Sequence, residues 1–364
     1  MWPVERQLRD LWQLAAESNA GECGRQITRA SLFNLVAVCA SEEERDRASA
    51  TISALTSRYP CRAMVILLAA GRAEPARPAG ELTATVTAHC HLAGGGRKQV
   101  CCEQISVVAA GERIGQVPSV VLPLLESDLP TMLWWRGNFL EQPALFRRLS
   151  AVADRVMFDT SAWAAGAAAL PALVAAMRAQ TRGCFTDLSW TRLTLWRKLM
   201  ADCFDDPLTQ AALPGMRRLD VVYGCDSGAR LRALLYAGWV VTQLGWSPED
   251  AAERVAWRCR EDTDATSVGL LAIELAGGTA TVSIRKHFGE WTATARVLMP
   301  RACGLPRKQA FARLDEASLL AQELEHPGRH AVYERALTMA VWLASAHLDP
   351  ATIDPSLFGV AALL

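Results

Sequence analysis

Arg136 and Gly137 directly follow the apolar run TMLWW at residues 131–135, and Asp159, Thr160 and Ser161 follow a second run, RVMF. In an open sheet with helices on its faces, ligands bind beyond the carboxyl ends of the strands. Both groups stand where such a fold would place a crevice. The guanidinium of Arg136 presents a planar fork of donors suited to carboxylate or phosphate. Arg136 with Asp159 therefore makes either a ligand site or an internal ion pair, and the ion pair is preferred. The tryptophans before Arg136 divide by face, because successive strand side chains alternate. Leu133 and Trp135 share one side; Met132, Trp134 and Arg136 share the other. In a strand covered on both faces tryptophan is core, whereas an exposed ring would be a docking anchor.

A second cluster lies in CFTDLSWTRLTLWRKLM, residues 184–200. Asp187 or Ser189 can cap a helix whose Trp190, Leu193 and Met200 form an apolar stripe, leaving Arg192, Arg197 and Lys198 for polar work. Further on, the glycines of the turn Gly224–Gly228 separate a strand from a helix. That setting can hold a phosphate at the helix N-terminus, but the turn matches neither GxGxxG nor GxxxxGK[ST]. Eleven cysteines are scattered with no CxxC pair, which favours buried thiols over a metal or disulfide framework. Cys101 and Cys102 are adjacent, so a redox pair is conceivable. On a strand they point to opposite faces, and a bond between neighbours needs a distorted peptide, so two buried thiols are expected. His89 and His91 share a strand face but lack identifiable further ligands, and no metal is expected.

The elements that must position these residues follow from hydrophobic patterning. SLFNLVAVCA (31–40) and CRAMVILLAA (61–70) are buried strands. Between them lies a helix opened by Ser41 and Glu44 at capping-box spacing, a unit that requires parallel pairing and a right-handed crossover. ELTATVTAHCHLA and QVCCEQISVVAA, joined by GGGRK, read as an antiparallel hairpin added to that sheet. A helix near SVVLPLLE, the strand TMLWW, a helix in QPALFRRLSAVA and the strand RVMFDT follow. The first domain, residues 1–180, is thus an α/β domain with a mainly parallel sheet plus the hairpin. In residues 181–364 a strand, the glycine turn, an apolar helix, three more strands and a closing helix from about Gly328 to His347 make an α+β domain.

Length agrees with two domains, since one core serves about 100 to 200 residues. With 38 basic and 38 acidic residues the net charge is zero, which removes the footprint of nucleic-acid or anionic-membrane binding. The longest uncharged stretch, from Ala162, falls short of the roughly 20 apolar residues of a membrane span. The first residues lack the apolar core of a signal peptide, so a cytoplasmic location is expected. No GxSxG elbow, HExxH, dinucleotide fingerprint or Walker loop is present, and no cofactor is implied.

The strings TRASLFNLVAV, CCEQI, SVVLPLLESDLPTMLWWRG, DRVMFDTS, DLSWTRLTLWR, YAGWVVTQLGW and YERAL occur in the order and approximate spacing of the glucose-6-phosphate dehydrogenase assembly protein (OpcA) family, which the chain resembles over most of its length. LPTMLWWRG and DLSWTRLTLWR are the most distinctive. The resemblance implies a non-catalytic accessory protein of the oxidative pentose-phosphate route. Such a protein binds glucose-6-phosphate dehydrogenase and favours its active oligomeric or high-activity state, acting as an allosteric activator. The competing reading is an enzyme or sensor holding a sugar phosphate or nucleotide at Arg136, Asp159 and Ser161, with Arg192 added from the second half.

Overall fold

The computed structural model describes residues 6, 7, 9, 10, 13, 26–29, 31–69, 82–92, 98–180, 182–260, 268–287, 291–300, 302, 303, 305–311, 314–326 and 328–346. The first half contains β1 (Gln26–Arg29), β2 (Phe33–Cys39), α1 (Glu42–Thr56), β3 (Cys61–Ala69), β4 (Leu82–Leu92), β5 (Lys98–Ala110), β6 (Thr131–Trp135), α2 (Pro143–Ser150), β7 (Arg155–Phe158) and α3 (Leu170–Ala179). Then come β8 (Cys184–Asp187), α4 (Thr194–Asp202), β9 (Met216–Tyr223), α5 (Ala229–Leu244), α6 (Pro248–Arg254), β10 (Val255–Cys259), β11 (Leu270–Gly277), β12 (Thr281–His287) and β13 (Thr292–Met299). β14 (Ala302–Cys303), β15 (Arg307–Ala310), α7 (Glu316–Glu325) and α8 (Ala331–Ala346) complete the order, with shorter helical turns between.

Two compact units result, and neither is continuous in sequence. The first comprises residues 1–159, 180–186 and 315–329; the second comprises 160–179, 187–314 and 330–364. The first unit carries an eight-stranded sheet in the order β1-β5-β3-β2-β6-β7-β8, with β4 paired to β5. β1–β5, β3–β5, β2–β3, β2–β6 and β6–β7 pair in parallel and β4–β5 antiparallel, so the mainly parallel sheet with an added hairpin is as expected. The GGGRK turn lies almost wholly outside the described residues. So do the side chains of His89 and His91. All seven residues of β2 are buried, the pattern of a strand covered on both faces. Ser41 accepts from Glu44 N and, in return, Glu44 accepts from Ala40 N at 2.8 Å. The cap thus closes one residue earlier than the usual box, and three glutamates in the first turn complement the helix dipole.

The second sheet runs β10-β9-β11-β12-β13-β14, with β15 also on β13; β10 pairs β9 in parallel and the rest are antiparallel. β10 borders one side, and the four exposed residues of β15 lie on the other. α8 packs along α5, and Gly238 sets how closely. A Cβ there would lie 2.3 Å from the Ala336 carbonyl oxygen, so only glycine admits this approach.

Several elements differ from the pattern reading. The helix expected after Asp187 is a turn, Leu188–Thr191, followed by α4. The helix near SVVLPLLE shortens to Val117–Val121 and a 3-10 turn containing Pro123. β8, β10 and α6 are too short to show a clear period, and α7 is a further helix that the pattern reading does not include. No helix among the described residues is long and apolar enough to cross a membrane.

Candidate functional site

In the first unit β6 delivers Arg136 to its carboxyl end, where the backbone N–H extends the ladder by donating to Val38 O at 2.9 Å. The chain then turns through Gly137 at φ 81°, a left-handed conformation that glycine adopts without strain. The Arg136 side chain folds back over the Trp134 ring, its Cζ 4.7 Å from the centroid. Its Nη1 donates to Glu316 Oε2 at 2.6 Å. Glu316 stands in the first turn of α7, where the helix dipole favours a carboxylate. Arg136 is thus in an ion pair, but not the one expected with Asp159: its acid, Glu316, comes from 180 residues downstream. Asp159 is half-buried just after β7. Trp134 and Trp135 are 1% and 3% exposed, and Trp135 meets Phe146 edge-on at 5.6 Å. Neither ring is available as a surface anchor. Trp135 joins a core in which Phe139 stacks on Phe146 at 4.1 Å and Phe158 and Phe185 close the group.

A deeper charge lies at the opposite end of the neighbouring strand. Arg155, 3% exposed, donates to Thr186 Oγ1 at 2.7 Å, Glu323 Oε2 at 3.4 Å, His326 O at 2.6 Å and Gly328 O at 3.1 Å. The Glu323 side chain is 6% exposed. Sequence patterning missed this pair. Its one available signal was Asp315 with Ser318, the cap that starts α7: the Asp315 carboxylate accepts from Ser318 N at 2.8 Å.

The CCEQI string is likewise spent on structure. Cys101 is disulfide-bonded, which corrects the expectation of two buried thiols. The physical reason is reach: that expectation compared Cys101 only with its sequence neighbour, and Cys102 is not in the bond. Cys102 remains a thiol, buried, and burial pushes its pKa up. Glu103, 2% exposed, pairs with Arg62 Nε at 2.8 Å, and Gln104 donates to Ser49 Oγ at 3.0 Å.

In the second unit the distinctive strings converge on one carboxylate. Asp187 is fully buried. It accepts from Thr160 N at 3.1 Å, from Thr160 Oγ1, from Ser189 N at 2.9 Å and from Tyr333 OH at 3.4 Å. Burial first, then the Asp187 charge, holds the Tyr333 phenol well above its ordinary range, so the hydroxyl stays a donor at neutral pH. Ser189 Oγ accepts from Ser161 N at 3.1 Å. Trp190 lies between Tyr333, at 5.6 Å, and Arg197, whose Cζ is 3.7 Å from its centroid. Arg192 is half-buried and closes the helical turn, its N–H donating to Leu188 O at 3.0 Å. Such a network holds a fold together. A fully buried, multiply hydrogen-bonded carboxylate is a positioning group rather than a base open to substrate.

The strand-turn-helix at Gly224–Gly228 packs against this hub. A Cβ on Gly228 would lie 2.3 Å from Ser161 Cβ, so Ser161 faces protein. Within the turn, Asp226 accepts from Gly269 N at 2.6 Å and pairs with Arg232. The turn's own carboxylate thereby takes donors that a bound anion would use. Of the sequence candidates, Asp187 and Ser161 meet in one network; Arg136 and Asp159 belong to the first unit, and Arg192 to the second. Among the described residues no group of three or more His, Cys, Asp or Glu side chains is placed to hold a metal.

Solved structures resemble the chain distantly. An NAD binding oxidoreductase from Klebsiella pneumoniae matches at TM-score 0.46 and 10% identity, over 88% of this chain and 98% of its own. At that level no chemistry carries across. An OxPP cycle protein OpcA from Nostoc punctiforme is 29% identical over 52% of this chain and 39% of its own length. Its namesake from Synechocystis is 30% identical over 41% of this chain and 30% of its own. The chain thus spans well under half the length of these two curated relatives. Two family models, described as the glucose-6-phosphate dehydrogenase subunit N-terminal and C-terminal domains, match residues 36–175 and 184–337 in that order. Since together they cover most of the chain and its distinctive strings, the chain belongs to the OpcA family.

Proposed function

We propose that this chain is a non-catalytic accessory protein that binds glucose-6-phosphate dehydrogenase in the cytoplasm and favours its active oligomeric or high-activity state. The observation that carries this reading is the ordered match to both subunit domains of the family. The internal chemistry agrees: Arg136 is engaged by Glu316 and Asp187 by Thr160, Ser189 and Tyr333, so the most distinctive strings serve a rigid scaffold. Activation then needs only differential affinity. A partner that binds the active dehydrogenase conformation more tightly shifts its population by that difference, about 1 to 3 kcal/mol for coupled sites.

The test mixes the purified chain with the glucose-6-phosphate dehydrogenase of the same organism. Co-elution at micromolar concentration should accompany a raised rate or a lowered substrate requirement. The chain alone should transfer no hydride. Separate elution with unchanged kinetics would remove the accessory role.

A further inference from the structure

Two cysteines of the second unit, 34 positions apart in sequence, meet at its surface. Cys225 lies in the turn between β9 and α5, Cys259 ends the border strand β10, and both are exposed. Their Sγ atoms are 3.0 Å apart. That separation is about 1 Å longer than a disulfide bond of about 2.05 Å. The approach is built by the backbone. Cys259 pairs with Tyr223 in the parallel β10–β9 register, and the next residue continues the ladder through Arg260 N to Tyr223 O at 2.9 Å. Cys225 Sγ in turn donates to Arg260 O at 3.3 Å. Small side-chain rotations would therefore close the remaining gap while the strands stay in place.

We infer that Cys225 and Cys259 form a dithiol–disulfide modification site that reacts with small-molecule disulfides. One protein thiolate attacks a sulfur of the oxidant, forming a mixed disulfide and expelling the first small thiol. The second protein thiolate then attacks the protein sulfur of that mixed disulfide and expels the second small thiol. Two protein thiols lose two electrons, the oxidant's S–S bond gains them, and the two protons leave on the released thiols. The new bond ties the turn before α5 to the end of β10. Exposure separates this pair from the buried cysteines: burial pushes the Cys39 thiol up to about 12 and Cys203 up to about 11, which leaves them little thiolate at neutral pH.

The experiment treats the full chain with glutathione disulfide, alkylates the remaining thiols and maps peptides without reduction. The expected result is the loss of two reactive thiols per chain and a peptide joining Cys225 to Cys259, reversed by dithiothreitol. In Cys225→Ser and Cys259→Ser the surviving partner should carry glutathione instead, with an unchanged melting temperature. Separate glutathionylation of both cysteines, a link from either to another cysteine, or no reaction at either would each overturn the inference. The dehydrogenase is absent from the assay, so the result stands apart from the accessory role.

Discussion

The first unit buries a cation and the second an anion, and they satisfy these charges in different ways. Arg155 is held by one carboxylate, one hydroxyl and two backbone carbonyls, three of the four from the segment 323–328. Asp187 is held by amide and hydroxyl donors, three of them from within 27 residues along the chain. A charge matched by an opposite charge fails hard when the partner goes, because the remaining ion is stranded in low dielectric. A charge dispersed over several neutral donors loses less with each.

Glu323→Ala should therefore have the largest effect, destabilising by about 3 to 5 kcal/mol as the buried Arg155 charge loses the Glu323 carboxylate. Urea unfolding followed by fluorescence measures it; a loss under 1 kcal/mol would mean the backbone carbonyls alone suffice. Trp134→Ala should cost a similar amount, about 3 to 5 kcal/mol, through emptied volume and not through charge. If its melting temperature held while dehydrogenase binding fell, the ring would be a docking hot spot and not core. Asp187→Asn should cost less, about 1 to 3 kcal/mol, since the amide keeps the shape and one acceptor. A larger loss than for Glu323→Ala would reverse the comparison. Asp315→Ala should be the smallest, about 1 kcal/mol, the usual value of a helix cap. Its pH dependence has a definite sign. The Ser318 hydrogen bonds lower the Asp315 pKa, so the cap's contribution is present above the unfolded carboxyl pKa and is lost as pH falls through the folded one. Melts of wild type and variant should differ at pH 7 and approach each other only as pH falls through the lowered carboxyl pKa of the folded state.

Strong periodicity made the first sheet legible. β2, α1, β3 and the β4–β5 hairpin lie where apolar runs, a cap and alternation predict them. The site was legible in part. Either Asp187 or Ser189 fits the cap in sequence, and it is Asp187 that caps, accepting from Ser189 N. Its further donors Thr160 and Tyr333 are 27 and 146 positions away, which local patterning cannot reach. Arg136 is expected to pair with Asp159, but its acid is Glu316 on α7, 180 positions away, which local patterning cannot reach. Cys101 failed for the same reason: it is bonded to a cysteine other than its neighbour Cys102, which local patterning cannot identify.

The borders of the second sheet have a consequence for how the chain behaves when concentrated. A border strand presents an open row of donors and acceptors that can template a strand from another molecule. Here β10 has only five residues, with Arg258 exposed, and β15 has four, with Arg307 and Lys308 exposed. Short length limits the bonds that a foreign strand could gain, and the cations repel an identical border brought alongside. The sheet is thereby guarded against fibril-like stacking at both margins. Exchanging these basic residues for valine or threonine would be expected to turn a clear solution turbid long before it altered the fold of a single molecule.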